Sequence, residues 1–122
     1  MNAIKFIQQH GVDKAREVVD GAPEGATHLS GFTGQIYKDS GDVVYVWDGA
    51  KYHKSIYEHT QGMISLSDLK RLVKGVDLVT AWGGLESTYS KFRYAQEHKN
   101  IYPANMIQQA IADYEAIGGE HV

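Results

Sequence analysis

The sequence predicts an α+β fold with an N-terminal helix, a small antiparallel β-meander of three to four strands, and three C-terminal helices. Two observations indicate this order. Apolar residues recur with a helical period over 3–19 and again after residue 62, whereas the period falls to two over 27–56. The length of 122 residues and the hydrophobic fraction of 43% are typical of one domain with a real core, so a single domain is expected over 1–122.

The N-terminal helix is predicted from an apolar stripe over 3–19 that includes Ile7 and Ala15. Gly11 interrupts this stripe, so one weakened helix and two short helices meeting at the glycine both fit the pattern. Pro23 cannot donate a backbone hydrogen bond and lies close to two glycines, and it therefore marks the end of the helical segment.

The central meander is predicted from three β-rich runs, at 35–38, 43–47 and 51–56. Between these runs lie Asp39–Asp42 and Asp48–Gly49, which are typical hairpin turns because Asp and Gly adopt the backbone angles that tight turns need. Residues 26–29 are expected to add a strand at the edge of the sheet.

The first C-terminal helix is predicted from a stripe of five apolar residues: Leu69, Leu72, Val73, Val76 and Val79. Ser65, followed by Asp68 three residues later, resembles the residue pair that caps a helix N-terminus. Gly83–Gly84 ends the helix. Three basic side chains lie off the stripe, where a solvated helix face is expected: Lys70, Arg71 and Lys74.

Two more helices follow. The second is marked by Leu85, Tyr89, Phe92 and Ala95, and the third begins at Pro103, a residue suited to the first helical position. The third helix is expected to bury five residues: Ile107, Ala110, Ile111, Tyr114 and Ile117. Its acidic residues Asp113 and Glu115 are expected to face solvent.

Composition narrows the classes of function. The chain has no cysteine, which excludes disulfides, thiolate chemistry and cysteine-bound zinc and suits a reducing cytosol. The net charge of −3 disfavours bulk nucleic acid as the main partner. No apolar run reaches the length of a membrane span, so we expect no membrane partner and a cytoplasmic location.

Catalytic motifs are absent from the sequence. It contains no G-x-S-x-G elbow, no Walker loop and no G-x-G-x-x-G, and Gly31–Gly34 precedes a short strand instead of a phosphate-binding helix. The spacing of the histidines does not indicate three ligands that could bind one zinc ion. The six histidines are His10, His28, His53, His59, His98 and His121. We therefore predict a protein that is not an enzyme and that uses neither a cofactor nor a metal.

The aromatic residues of the meander are the candidate binding residues. Tyr45 and Trp47 share one face of their strand, and Tyr37 and Tyr52 lie on the predicted neighbouring strands. Tyr and Trp suit surfaces that are partly buried and partly wet, so a protein-binding surface centred on Tyr45, Trp47 and Tyr52 is one interpretation. The other is that a helix covers this face as core. Acidic turn residues, Asp39, Asp42 and Asp48, are expected to surround this face and give it the wrong charge for single-stranded nucleic acid. The turns around Asp42 and Asp48 are expected to form the polar rim of the protein-binding surface.

A second interpretation concerns the helical region 67–93, which contains the cluster Lys70, Arg71 and Lys74. Residues 78–91 resemble a helix-turn-helix, but one alignment places Ser90 at an apolar core position and the other places Leu85 and Glu86 in the turn. The alternative function is therefore a nucleic-acid-binding regulator that uses the basic residues of 67–93.

Three segments resemble small, uncharacterised accessory proteins of lambdoid phages and prophages of enterobacteria: Ala22–His28, Asp68–Val73 with Gly83–Glu86, and Gln109–Glu115. The resemblance implies a phage-encoded protein that acts in the cytoplasm of the bacterial host, and it carries over no site residue. We expect an accessory factor that binds an unknown host or phage protein without catalysis, as a modulator of host defence or gene expression.

Overall fold

A computed structural model describes residues 2–98 and 101–118 of the chain. These residues form five helices and one antiparallel sheet of five strands, in the order two helices, five strands, three helices. The predicted α+β class is confirmed. The chain divides into two compact units, Met1–Lys70 and Arg71–Val122, and the boundary lies within the third helix. The single domain expected over 1–122 stays a prediction.

Two short helices form the N-terminus, α1 (Ala3–His10) and α2 (Val12–Gly21), so the two-helix alternative is the right one. They meet at Gly11, whose φ of +88° is open to glycine and unfavourable for other residues. The Asn2 side chain caps α1 by accepting the Lys5 backbone N–H at 2.9 Å. The buried residues include Ile7 and Ala15, as the apolar stripe predicts.

The sheet contains β1 (His28–Leu29), β2 (Ile36–Asp39), β3 (Val44–Trp47), β4 (Tyr52–Lys54) and β5 (Ile64–Ser65). Its strand order is β4-β3-β2-β1-β5. The strand predicted within 26–29 is present as β1, but it does not lie at the edge of the sheet, because β5 pairs with it on its outer side and makes five strands instead of three or four. Since β5 has two residues, it is too short for an alternating apolar pattern to reveal it.

Strand register assigns each side chain to one face of the sheet, because directly paired residues of antiparallel strands lie on the same side. Lys38 pairs with Tyr45, which pairs with Lys54, and Trp47 pairs with Tyr52. We call this set the aromatic face: Lys38, Tyr45, Trp47, Tyr52 and Lys54. Tyr37 pairs with Val46 and so lies on the opposite face, where it is buried against the Tyr57 ring. Tyr37 is therefore no neighbour of the predicted binding residues.

Helix α3 (Leu66–Ala81) follows β5 directly. Its N-terminus is capped by the Ser65 hydroxyl, which accepts the Asp68 backbone N–H at 3.1 Å. All members of the predicted apolar stripe are buried: Leu69, Leu72, Val73, Val76 and Val79. The helix ends just before Gly83 and Gly84, which both have positive φ, and this confirms the predicted end of the helix.

The second unit also contains α4 (Leu85–Glu97) and α5 (Ile101–Ala116). Helix α5 begins two residues before Pro103, a position that proline tolerates because the first backbone N–H groups of a helix have no partner within it. The predicted buried residues of α5 are confirmed except Tyr114, which is half-buried. A core cluster joins α4 and α5: Ala95, Ala104, Ile107 and Ile111, with Trp82, Leu85 and Phe92 packed against it.

Candidate binding surface

The three predicted binding residues lie together on the aromatic face. Tyr45 and Trp47 are two residues apart on β3, and Tyr52 pairs with Trp47 across β4. The Trp47 and Tyr52 rings are 5.0 Å apart between centroids at an interplanar angle of 63°. This edge-to-face arrangement is a favourable one for aromatic rings, so each ring limits the rotation of the other.

Lys38 completes the surface and was not among the predicted site residues. Its Nζ lies 5.0 Å from the centroid of the Tyr45 ring and 4.5 Å from that of the Tyr52 ring. An ammonium within about 6 Å of an aromatic ring face is attracted by the negative potential of that face. The register of β2 and β3 places Lys38 directly opposite Tyr45. The register set by the intervening turn was the one sequence signal that could have identified it.

A loop contacts one side of the aromatic face. The Tyr52 hydroxyl donates to the Glu24 carbonyl oxygen at 3.0 Å, and burial raises the pKa of Tyr52 above its ordinary value. Gly25, at a φ of +85°, lies so close to the Lys38 stem that a Cβ atom there would be 3.1 Å from Lys38 Cδ. The positive φ therefore favours glycine here, and a Cβ atom at this position would require the Lys38 stem to shift slightly.

The aromatic face is partly exposed. Tyr45, Trp47 and Tyr52 are each half-buried, so no element buries any of them completely. The interpretation that a helix buries this face entirely is therefore wrong, because each of the three residues keeps part of its surface exposed. Their function in binding stays a prediction.

The acidic residues expected to surround this face are arranged differently. Asp39 pairs with Val44 and so lies on the opposite face, where it accepts the Gly41 N–H and the Thr60 hydroxyl, each at 2.9 Å. These two hydrogen bonds, that from Gly41 first, lower the pKa of Asp39. Asp39 is thus no part of the rim around the predicted site.

Asp48 is held within the turn between β3 and β4. Its carboxylate accepts the Lys51 and Ala50 backbone N–H groups, both at 2.8 Å, and hydrogen-bonds to His53 Nε2. These bonds, the two backbone ones foremost, lower the pKa of Asp48 to about 2. Asp42 is exposed and lines a cleft of about 360 Å³ that also includes Lys54, Tyr57 and Glu58.

The second unit contains a different charged site. Arg71 Nε donates to Asp113 Oδ2 at 3.2 Å, and Gln109 Nε2 donates to Asp113 Oδ1 at 3.0 Å. Asp113 is 4% exposed, so the prediction that it faces solvent was wrong. Gly75 is the reason: a Cβ there would be 3.2 Å from Asp113 Cβ, and glycine lets the two helices approach until the carboxylate is enclosed.

The Arg71 cleft lies around this ion pair and measures about 210 Å³. Apart from Arg71, its lining residues are Lys74, Gly75, Leu78, Met106, Gln109, Ala110 and Asp113. The Arg71 side chain is 49% exposed. Of the predicted cluster, Arg71 is thus the member with a buried acidic partner, whereas Lys70 and Lys74 are exposed.

The histidines are spread over the fold. Among residues 2–98 and 101–118, no three His, Cys, Asp or Glu side chains come together in a way that could hold a metal ion. His121 lies outside the described residues. None of the helices in the described ranges is both long enough and apolar enough to cross a lipid bilayer.

Comparison with known proteins adds no relative to this description. The chain matches no protein-family model, no curated protein sequence and no solved structure. The geometry of its surfaces is therefore the basis on which a function can be argued.

Proposed function

We propose that the protein acts by non-catalytic binding of a protein partner through the aromatic face, centred on Tyr45, Trp47 and Tyr52. The observation that carries this proposal is the half-buried group of three rings on two paired strands. Tyr and Trp provide large contact areas with few rotatable bonds, and they are enriched where binding energy is concentrated.

The fixed arrangement of the rings supports the proposal further. Trp47 contacts Tyr52 edge to face, the Tyr52 hydroxyl is bonded to the Glu24 carbonyl, and Lys38 lies over two rings. Side chains that are already ordered lose little conformational entropy when a partner covers them. Most of the free energy gained from apolar contacts with this surface should therefore contribute to the affinity for a partner.

The cellular setting of the proposal comes from the sequence. The resemblance of Ala22–His28, Asp68–Val73 with Gly83–Glu86, and Gln109–Glu115 to accessory proteins of lambdoid phages supports a phage or prophage protein. Its partner would then be a host or phage protein in the bacterial cytoplasm. Modulation of host defence or of gene expression is the function we propose for such a complex.

Affinity capture with matched baits tests the proposal. The wild-type chain, Trp47→Ala and Tyr94→Ala are used as baits in a lysate of lysogenic cells. Tyr94 is 63% exposed and lies on α4, so its variant controls for the loss of any exposed aromatic ring. We expect a protein that co-purifies with the wild type and with Tyr94→Ala but is lost with Trp47→Ala.

Fluorescence quenching then tests direct contact. In a Trp82→Phe background, Trp47 is the single tryptophan, and its partial exposure predicts efficient quenching by acrylamide in the free protein. Addition of the captured partner should protect it. A complex in which Trp47 stays as accessible as in the free protein would contradict the proposal.

The nucleic-acid-binding alternative through 67–93 has weaker support. Arg71 of this region is engaged with the buried Asp113, and in both α3 and α4 the basic residues have an acidic residue on either side in the sequence. Salt dependence separates the two functions, because binding dominated by phosphate contacts weakens steeply with added salt and an apolar protein interface does not.

A further inference from the structure

We propose that the segment bound by the aromatic face is acidic, and that one of its carboxylates accepts a hydrogen bond from Lys38 Nζ while an adjacent apolar side chain packs on Trp47. This inference rests on the proposed function, that the aromatic face binds a protein, and it adds the chemistry of the partner.

The charge of the aromatic face is the first argument. Lys38 and Lys54 flank Tyr45 on paired strands, and the strand residues on this side of β2, β3 and β4 include no acid: Ile36, Lys38, Tyr45, Trp47, Tyr52 and Lys54. In the part of the chain that the structure describes, no carboxylate lies within ion-pair distance of Lys38. Among the described residues, Lys38 therefore has no acidic ion-pair partner.

The nearest acidic residues in sequence are engaged elsewhere. Asp39 lies on the opposite face and is bonded to Gly41 and Thr60, and the Asp48 carboxylate is held by its own turn. Lys54 differs from Lys38, because it lines a cleft with Asp42 and Glu58. The structure therefore makes Lys38 the main anchor for an anion and gives Lys54 a smaller contribution.

The position of Lys38 is fixed before binding. Two rings hold its ammonium, and the backbone at Gly25 lies against its aliphatic stem. A cation over aromatic rings keeps its N–H groups available to an acceptor, since the rings attract the charge without accepting a conventional hydrogen bond. A free lysine loses much rotamer entropy when it pairs with a carboxylate, and this one has lost most of it already.

The same geometry favours an acidic protein segment over single-stranded nucleic acid. Bases bind such proteins by stacking on aromatic ring faces, and here the Lys38 ammonium lies over the faces of Tyr45 and Tyr52. A single carboxylate needs only the one ammonium.

A peptide selection with the full chain tests the inference. A displayed library of random linear peptides is selected on the wild-type protein, and the peptides that fail to rebind Trp47→Ala are taken as ligands of the aromatic face. Tyr45→Leu replaces that variant if Trp47→Ala is unfolded by circular dichroism. Each ligand is then measured against Lys38→Met, Lys38→Arg and Lys51→Met, and an oligothymidylate is titrated in parallel.

We expect the ligands of the aromatic face to be enriched in Asp and Glu. Lys38→Met should weaken them about tenfold, the value of a charge-assisted hydrogen bond at a partly exposed site. Lys38→Arg should restore most of the affinity. Lys51→Met removes an exposed lysine from the neighbouring turn and should change affinity less than about twofold.

The failures of the two proposals are distinguishable. Ligands that need Trp47 but show no acidic enrichment, or that bind Lys38→Met as tightly as wild type, would overturn the inference and leave the proposed function standing. A selection that yields no ligand dependent on Trp47 or Tyr45 would overturn both. Oligothymidylate binding that is lost in Trp47→Ala would overturn the acidic-segment inference in favour of nucleic acid.

Discussion

Lys38 on the aromatic face and Arg71 in the second unit are both cations beside apolar surface, and they are held in different ways. Lys38 lies over the rings of Tyr45 and Tyr52, which attract its charge without neutralising it. Arg71 donates to Asp113, a carboxylate that is 4% exposed and also bonded to Gln109. The first cation can still attract an anion from outside, whereas the second is largely neutralised within its own unit.

Because the two cations are held differently, we expect one to matter for stability and the other for binding. A buried carboxylate needs its cation, since removal of one partner leaves an uncompensated charge. Rings do not need a cation, because their remaining surface is apolar and packs with or without it. Changes at Arg71 should therefore affect mainly the free energy of unfolding, and changes at Lys38 should affect mainly the affinity for a partner.

The largest expected effect concerns the core that holds α5, the helix that contributes Asp113. Ile111 is 6% exposed and packs with Ala95, Ala104 and Ile107. Ile111→Asp should lower the free energy of unfolding by about 4 kcal/mol, because it removes a buried aliphatic side chain and introduces an unpaired charge.

Met106→Asp is the matched control for this substitution, since Met106 is on the same helix and is 37% exposed. It should cost less than about 1 kcal/mol. Urea denaturation followed by circular dichroism measures both variants. Equal midpoints for Ile111→Asp, Met106→Asp and the wild type would mean that the inner side of α5 is not core.

The next effect tests the two cations directly. Arg71→Met removes the hydrogen bond from Arg71 to the buried Asp113 carboxylate and leaves that from Gln109. The substitution should lower the free energy of unfolding by about 2 kcal/mol. Lys38→Met keeps a linear apolar stem and removes a partly exposed cation–π contact, so it should cost less than about 1 kcal/mol. Urea denaturation of both variants under one set of conditions gives the comparison. A Lys38→Met variant as unstable as Arg71→Met would contradict the claim that Lys38 contributes mainly to binding and Arg71 mainly to stability.

Sequence periodicity predicted the kinds and order of the helices and strands, because the spacing of apolar residues depends only on which side of one helix or strand is buried. The stripe of α3 from Leu69 to Val79 and that of α5 around Ile111 are buried as expected. The grouping of Tyr45, Trp47 and Tyr52 on one face followed from the alternation of strands and the turn at Asp48.

The features that sequence reasoning missed depend on contacts distant in the chain. Asp113 lies on the polar side of its helix by pattern, and it is buried because Gly75, 38 positions earlier, lets the helices approach. Strand β5 contains two residues, and its pairing with β1 spans the whole meander. Lys38 is identified as a site residue only by its pairing with Tyr45, and the periodicity of apolar residues within a strand does not predict which residues pair between strands.

A smaller effect tests how firmly Lys38 is placed. Gly25→Ala and Gly34→Ala each put a side chain at positive φ, +85° and +76°, and each should cost about 1 kcal/mol of stability. The new Cβ at Gly25 also meets the Lys38 stem, whereas the one at Gly34 meets open space. The ring-current shift of the Lys38 ε-methylene protons should therefore change in Gly25→Ala and stay the same in Gly34→Ala, as read by NMR.

Identical Lys38 shifts in the two variants would show that Gly25 has no part in positioning the ammonium. Peptide affinity offers an independent reading of the same step, because a displaced Lys38 should bind acidic ligands of the aromatic face more weakly. Gly34→Ala, which carries similar backbone strain, controls for any general loss of stability.

The smallest effect tests whether Asp48 is truly withdrawn from the rim of the aromatic face. Its pKa is lowered from 3.8 to about 2 by the Lys51 and Ala50 N–H groups and by His53. A carboxyl whose pKa is lower in the folded state contributes stability that is complete above about pH 4 and is lost as the pH falls through about 2. The chemical shift of the Asp48 side chain should thus titrate near pH 2.

The matched variant is Asp48→Asn, which keeps an acceptor oxygen for the turn and removes the titrating group. The wild type should lose more stability than Asp48→Asn between pH 4 and pH 2 in urea denaturation, because only the wild type has to protonate this carboxylate. Asp48 titrating near its ordinary value of 3.8, with parallel pH profiles for the two proteins, would mean that its carboxylate is released from the turn. It would then be free to compete for Lys38 with an acidic partner.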